Sequence, residues 1–166
     1  IVPPMDTPEG LYVDYAANIR AAVTLPVMAV GRLKNPQLAE EVIATGKADV
    51  VAQARALIAD PFWVQKLNEK SPQQIRPCIG CNQGCFGYLY TNRPITCAVN
   101  PAVGHERTIG HGTETSSSGS VLVVGGGPAG MEAAIAARER GLEVTLAEAS
   151  DTLGGQIPLA SSIDPR

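Results

Sequence analysis

The sequence predicts an α/β protein, with parallel strands covered by helices and a cysteine-rich segment between two such regions. Three observations carry that expectation. In the first half, short apolar runs alternate with helical patterns at βαβ spacing. The alternation returns after residue 120, around a glycine-rich turn. Between the two regions, all four cysteines of the 166-residue chain fall within residues 78–97.

The first helix is expected from Thr7-Pro8-Glu9, a hydroxyl N-cap with proline at N1 and an acid in the first turn. Leu11, Tyr12, Tyr15, Ala16 and Ile19 would share its inner face. Residues 26–30 (PVMAV) are a continuous apolar run, as for a strand covered on both faces. Asn35 caps the next helix, with Pro36 at N1, an inner stripe of Leu38, Val42 and Ile43, and Gly46 just past its end. Residues 49–53 form the second strand, residues 55–59 begin another helical segment, and Asp60-Pro61 opens a last one carrying Phe62, Trp63, Val64 and Leu67. Short loops between such elements make the two strands parallel.

Function in these folds sits at the C-terminal strand ends, here Gly31-Arg32 and Ala54-Arg55. A turn beside an arginine, repeated on neighbouring strands before a helix start, suits a phosphate. Backbone N–H groups and the helix dipole would hold the anion, and guanidinium groups would add charge-assisted bonds. The bland alternative is a pair of solvated loop arginines.

Composition narrows the functional classes. With 45% hydrophobic and 17% charged residues the chain is globular rather than disordered. A net charge of −3 gives no basic face for nucleic acid. The longest uncharged apolar run, residues 21–31, is too short for a membrane span, and the first residues have no secretory pattern. Clustered cysteines in such a chain favour metal binding over disulfides and a cytoplasmic location.

Cys78, Cys81, Cys85 and Cys97 are spaced C-x₂-C-x₃-C-x₁₁-C. Four soft thiolates suit either zinc or an iron–sulfur cluster. Zinc sites more often pair two C-x₂-C knuckles, whereas three close cysteines and a distant fourth resemble cluster ligation; plain buried cysteines are the third reading. Pro77, Gly80, Gly84 and Gly87 let the loop fold tightly. His105 and His111, in polar sequence without an i,i+4 partner, read as solvated residues rather than ligands.

Residues 110–120 (GHGTETSSSGS) read as a linker. Residues 121–124 form a buried strand feeding Gly125, Gly127 and Gly130, a G-x-G-x-x-G turn that opens a helix through Met131, Ala134, Ile135 and Arg138 and closes at Gly141. Another strand, residues 143–147, ends at Glu148. This is the full context of a dinucleotide fingerprint. The first glycine makes the turn, the second admits a pyrophosphate, and the third allows close helix–strand packing. An acid at the second strand end would bond ribose hydroxyls and disfavour a 2′-phosphate, leaving FAD, NAD and ADP open.

Together these stretches resemble the Old Yellow Enzyme-like flavoproteins that carry an iron–sulfur cluster and a second nucleotide domain, among them 2,4-dienoyl-CoA reductase, enoate reductase and trimethylamine dehydrogenase. The residues that carry the resemblance are PVMAVGRLKNPQLAEEVIATGKADVVAQARALIADP, RPCIGCNQGC, ITCAVNPAVGHE, VLVVGGGPAGMEAA and LAEASDTLGGQ. It implies that residues 1–76 are the last two β/α units of a (β/α)₈ TIM barrel, 77–109 a cluster segment, 110–120 a linker and 121–166 the start of a Rossmann-like domain. Gly31, Arg32, Ala54 and Arg55 would hold the FMN phosphate, and Cys78, Cys81, Cys85 and Cys97 a [4Fe–4S] cluster. Gly125, Gly127, Pro128, Ala129, Gly130, Glu148, Gly155 and Gln156 would hold FAD, or ADP as in the amine dehydrogenases. One departure is Ala52-Gln53-Ala54, where many members carry glycines; alanine still offers an N–H.

The implied activity is NAD(P)H-dependent reduction of an activated C=C bond, with electrons passing between FAD and FMN through the cluster. Amine oxidation, a non-catalytic electron-transfer or nucleotide-binding module, and a zinc-stabilised domain are the alternatives. No catalytic residue is identifiable. Two strands cannot close a barrel, so the chain is expected to be a piece of a longer polypeptide whose other segments are its first partners. Its open strand edges invite pairing with further chains, self-association included. A small-molecule substrate is expected; nucleic acid and membrane are not.

Overall fold

A computed structural model describes residues 2–109 and 118–162. The chain divides into two units, Ile1–Ile109 and Gly110–Arg166, each taken here by itself. Both are α/β.

In the first unit the order is α1 (Val13–Ala22), β1 (Met28–Ala29), α2 (Pro36–Ala44), β2 (Val50–Val51), α3 (Arg55–Ala59) and α4 (Trp63–Asn68). As expected, β1 and β2 are parallel, with Met28 beside Val50 and Ala29 beside Val51. The core is Val13, Ala16, Ala29, Leu33, Val42 and Ala48, with Val27, Leu38 and Val51 packed against it. The expected start of α1 is wrong by a turn. Gly10 adopts φ +71, a left-handed conformation that ends any helix begun at Thr7, and α1 starts only at Val13. Its buried face is therefore Val13 and Ala16, and Leu11, Tyr15 and Ile19 face outward. Nor is β1 covered on both faces: Ala29 is 1% exposed, but its neighbours Met28 and Val30 are 58% and 47% exposed. Among the described residues, the helices cover only one side of this two-stranded sheet.

The second helix forms as its sequence dictates. Asn35 Oδ1 accepts from the Gln37 N–H at 2.9 Å, Pro36 occupies N1, and Gly46 takes φ +70 beyond the end. Its inner stripe is Ala39 and Val42, with Leu38 packed against the core as expected; Ile43 points outward. In α4, Trp63 is buried and its indole N–H reaches Lys34 O at 3.3 Å, pinning the helix to the loop after β1.

The cysteine segment is anchored by two buried polar side chains. Asp60, 3% exposed, accepts from Lys66 Nζ at 2.6 Å, Arg76 N at 2.8 Å and Phe62 N at 3.0 Å. Asn100 donates to Ile58 O at 2.9 Å and accepts from Ala102 N at 3.1 Å. Burial pushes the Asp60 pKa upward, but the Lys66 bond and the two backbone bonds outweigh it, so the net shift is downward. A depressed carboxylate pKa adds stability above its unfolded value of 3.8 and loses it as pH falls through the lower folded value. Asp60→Ala removes the carboxylate from Lys66, which keeps only Gln74 O, and from the Arg76 N–H, and is expected to cost about 2–4 kcal/mol. Urea unfolding near neutral pH checks this, and a loss below about 0.5 kcal/mol would remove Asp60 as an anchor.

The second unit runs β3 (Ser120–Val124), α6 (Pro128–Glu139), β4 (Glu143–Ala147) and α7 (Ile157–Ser161), after α5 (Tyr88–Tyr90) of the first unit. Its strands are parallel and pair along five positions, from Ser120 beside Glu143 to Val124 beside Ala147. The expected buried strand is instead half-covered: Val121 and Val123 face α6's side, while Leu122 and Val124 are exposed. Of the expected linker, residues 110–117 and with them His111 lie outside the described residues, and Ser120 already belongs to β3. Among the described residues no helix is long and apolar enough to cross a membrane.

Candidate functional site: a cavity and a cysteine pocket sharing one wall

At the C-terminal ends of β1 and β2 lies a cavity of about 390 Å³. Gly31, Arg32, Ala54, Arg55, Cys78 and Gly80 are among its lining residues, so all four expected phosphate residues meet there. Gly31 takes φ +112, and a Cβ at that position would stand 2.8 Å from the Tyr12 ring. Arg32 follows in a left-handed conformation, φ 54. Its Nη1 bonds Pro4 O, while its Nε is buried with no hydrogen-bond partner among the described residues. A buried guanidinium nitrogen without an acceptor, at the edge of a cavity, suits an incoming anion. Arg55 Nη1 donates to Pro3 O at 2.9 Å and to Asn82 Oδ1 at 2.6 Å.

Two details differ from the sequence expectation. The Ala52 N–H donates to Ala29 O at 2.8 Å and so belongs to the sheet, not to a phosphate. Helix α3 is only five residues long, too short to offer much of a dipole, which leaves the charge to the arginines.

The four cysteines line a second, smaller pocket together with Arg55 and Asn82. Cys81 precedes Asn82, whose left-handed φ of 57 caps a π-helical turn, Gln83–Gly87, carrying Cys85. Cys97 is brought in by Gly84. That glycine is buried, its carbonyl accepts from Thr96 N at 2.8 Å, and a Cβ there would lie 2.8 Å from Thr96 O. Among the described residues no group of three or more His, Cys, Asp or Glu side chains stands ready to hold a metal ion. Four soft thiols around one pocket are a donor set that suits either zinc or an iron–sulfur cluster. His105 is exposed and away from this lining, as expected of a solvated residue.

In the second unit the fingerprint glycines differ in what surrounds them. Gly125 takes φ +103, a Cβ at Gly127 would meet nothing within 4 Å, and a Cβ at Gly130 would strike Gly125 O. Pro128 and Ala129 form the exposed first turn of α6. Sequence reasoning missed the braces on this loop. Gly126 donates to Glu148 Oε2 at 2.6 Å and accepts from Gly154 N at 2.8 Å, so LGGQ folds back onto the fingerprint. Gly155 lies beside Gly127, with Gln156 exposed next to it.

The Ser150 backbone and hydroxyl bond Glu148 Oε1 at 2.9 and 3.0 Å. The N–H groups of Ser150 and Gly126, then the Ser150 hydroxyl, pull the Glu148 pKa down from 4.5 to about 2. Its contribution is present above the unfolded value and is lost only as pH falls through about 2. Nucleotide affinity is therefore expected to be flat between about pH 5 and 8 as far as this group governs it. Glu148→Ala removes the acceptor of the Gly126 and Ser150 N–H groups and, by loosening the glycine loop, should lower bound nucleotide roughly tenfold. Nucleotide analysis of the denatured protein tests this, and unchanged content would remove Glu148 from the site.

Residues 8–74 match the NADH:flavin oxidoreductase / NADH oxidase family, and residues 120–162 match FAD dependent oxidoreductase. The chain is 45% identical over 158 residues to a metal reductase of Desulforamulus reducens, covering 95% of this chain and 24% of that protein. It is 41% identical over 155 residues to a cinnamate reductase of Clostridium sporogenes, covering 93% and 23%. The structure of 2-naphthoyl-CoA reductase matches with a TM-score of 0.86 at 36% identity, over 96% of this chain and 24% of that one. Across both parts the chain matches the Old Yellow Enzyme-like flavin oxidoreductases. Members of other chemistry match as well: histamine dehydrogenase from Rhizobium sp. 4-9 has a TM-score of 0.83 at 38% identity, over 94% and 23%. The chain thus spans about a quarter of the length of these relatives.

Proposed function

We propose that this chain is the cofactor junction of an NAD(P)H-dependent flavin oxidoreductase that reduces an activated C=C bond. Gly31, Arg32, Ala54 and Arg55 would hold the phosphate of FMN, the four cysteines a [4Fe–4S] cluster, and the fingerprint with Glu148, Gly155 and Gln156 a molecule of FAD. Residues 1–76 would complete a TIM barrel with segments of the larger polypeptide, and residues 121–166 would open its Rossmann-like domain. One observation carries this reading: the anion cavity and the four-cysteine pocket share Arg55 and Cys78 as a common wall. A zinc knuckle has no reason to abut an anion cavity, whereas a redox centre beside a flavin does.

When bound, the flavins supply hydride and single-electron chemistry and the cluster single-electron transfer. The chain's own residues bind and orient. Arg32 and Arg55 neutralise the phosphate, Gly31 keeps Tyr12 in contact with the turn, and the close approach of Gly84 to Thr96 brings Cys97 to the other thiols. Glu148 holds the glycine loop open at Gly127, where a pyrophosphate would lie.

Anaerobic purification followed by iron, sulfide and flavin analysis tests the proposal. Broad absorption near 400 nm that dithionite bleaches, with FMN and FAD both present, is the expected result. A colourless protein with zinc and no flavin would overturn it. The likeness to histamine dehydrogenase favours a second reading, amine oxidation with ADP in place of FAD. One flavin plus ADP, with turnover of amines but not of enoates, would select that reading.

A further inference from the structure

Asn82 stands where the two lining surfaces meet. Its backbone adopts φ 57, ψ 6, and its carbonyl accepts from Gly87 N at 2.8 Å, closing the π-helical turn that carries Cys85. Asparagine is among the few side-chain-bearing residues that enter this left-handed region at low cost. The side chain turns the other way. Oδ1 accepts from Arg55 Nη1 at 2.6 Å, a short charge-assisted bond, and Nδ2 reaches Val2 O at 3.4 Å. The second acceptor of Nη1 is Pro3 O, at 2.9 Å. Both bonds use one nitrogen, so the guanidinium is fixed in orientation while Nε and Nη2 take no protein acceptor among the described residues. They remain for an anion in the cavity that Arg55 lines.

We infer that Asn82 is a positioning residue that locks Arg55 for the flavin phosphate and ties that arginine to the cysteine turn. The inference rests on the FMN and cluster reading proposed above. Asn82 touches no reacting atom; it acts through Arg55. An arginine with several rotatable bonds loses much side-chain freedom when it binds phosphate, and a residue that fixes it beforehand removes part of that cost. The same side chain makes the placement of Arg55 depend on how the turn between Cys81 and Cys85 is folded.

The test uses the holoenzyme and compares FMN affinity with iron content. Asn82→Gly keeps the left-handed backbone and removes the amide. It should retain wild-type iron while the FMN dissociation constant rises about tenfold, the loss expected for one hydrogen bond to a charged group. In an Arg55→Lys background the same change should matter less than about twofold, because the fork that Asn82 holds is gone. An equal effect in both backgrounds, or no effect in either, overturns the inference. If Asn82→Gly sheds iron, Asn82→Asp decides: it keeps the acceptor and the backbone preference, and should keep iron and FMN affinity within about threefold. Loss of both in Asn82→Asp also overturns the inference. A wild-type enzyme containing neither FMN nor iron would overturn the underlying reading, an outcome visible before any variant is made.

Discussion

Replacing Cys85 with serine is expected to abolish cluster binding while leaving FMN in place. Cys85 sits inside the Gln83–Gly87 turn, between the Asn82 cap and Gly87, and lines the same pocket as the other three cysteines. A hydroxyl is a harder and far more weakly acidic ligand than a thiol, so the serine would neither ionise nor match a soft metal. Changing an outer-shell partner of a metal typically costs 10–100-fold, and losing a direct ligand should reduce reduced-nicotinamide-driven turnover by roughly a hundredfold or more. FMN should stay, because Gly31, Arg32, Ala54 and Arg55 contact the cavity without help from the Cys85 side chain. Iron, sulfide and FMN measured on one sample of the purified variant read both halves of this expectation. Iron at the wild-type level would sink the ligand assignment, and loss of FMN as well would show that the turn, not the thiol, had failed.

Much of this arrangement was legible in the sequence because local rules govern it. The cap at Asn35, the parallel pairing of β1 with β2, the glycine turn at Gly125 and the limits of β4 follow from residues close to one another in the chain. The cysteines were legible as a set because spacing alone makes them exceptional. What could not be read depended on one local backbone conformation and on contacts between distant segments. Gly10 ends one helix pattern and delays the next by its own left-handed backbone, while composition around it still favours a helix from Thr7. The apolar runs of β1 and β3 suggest cover on both faces, yet an apolar sequence records only what a face can bury, not what lies against it. Val124, 80% exposed, is the clearest case.

The residues sequence reasoning missed share one property: each works through a bond to a distant backbone group or a charged side chain. Asp60 reaches Arg76, Asn100 reaches Ile58, and Asn82 reaches Arg55. The only available signal for Asn82 was its type, asparagine next to a cysteine in a glycine-rich loop, which suggests a left-handed turn but no partner. Its bond to Arg55 spans 27 positions and needs the fold before it can be seen.

Gly84→Ala is the second large effect, and it separates the geometry of the cysteine pocket from its chemistry. All four thiols remain in this variant. The added Cβ, however, would stand 2.8 Å from Thr96 O and 3.0 Å from Thr96 C, and would also meet the Thr96 hydroxyl. Two of those atoms are backbone, and the Thr96 N–H is already bonded to Gly84 O at 2.8 Å, so neither segment can yield without breaking that bond. The segment at Thr96 must therefore retreat, carrying Cys97 away from Cys78, Cys81 and Cys85. Overpacking of this kind costs about 1–3 kcal/mol of stability, and the displaced fourth thiol should cost the cluster most of its occupancy. Gly87→Ala provides the contrast. Gly87 is exposed, and the nearest neighbour of its new Cβ, Asn82 O at 3.2 Å, needs to give by only a few tenths of an ångström. Iron in Gly87→Ala is expected within about twofold of wild type, whereas Gly84→Ala should lose most of it and the absorption near 400 nm. Equal iron in the two variants would mean that Cys97 reaches the pocket without the close approach of Gly84 to Thr96. The x₁₁ gap would then be closed by some other contact.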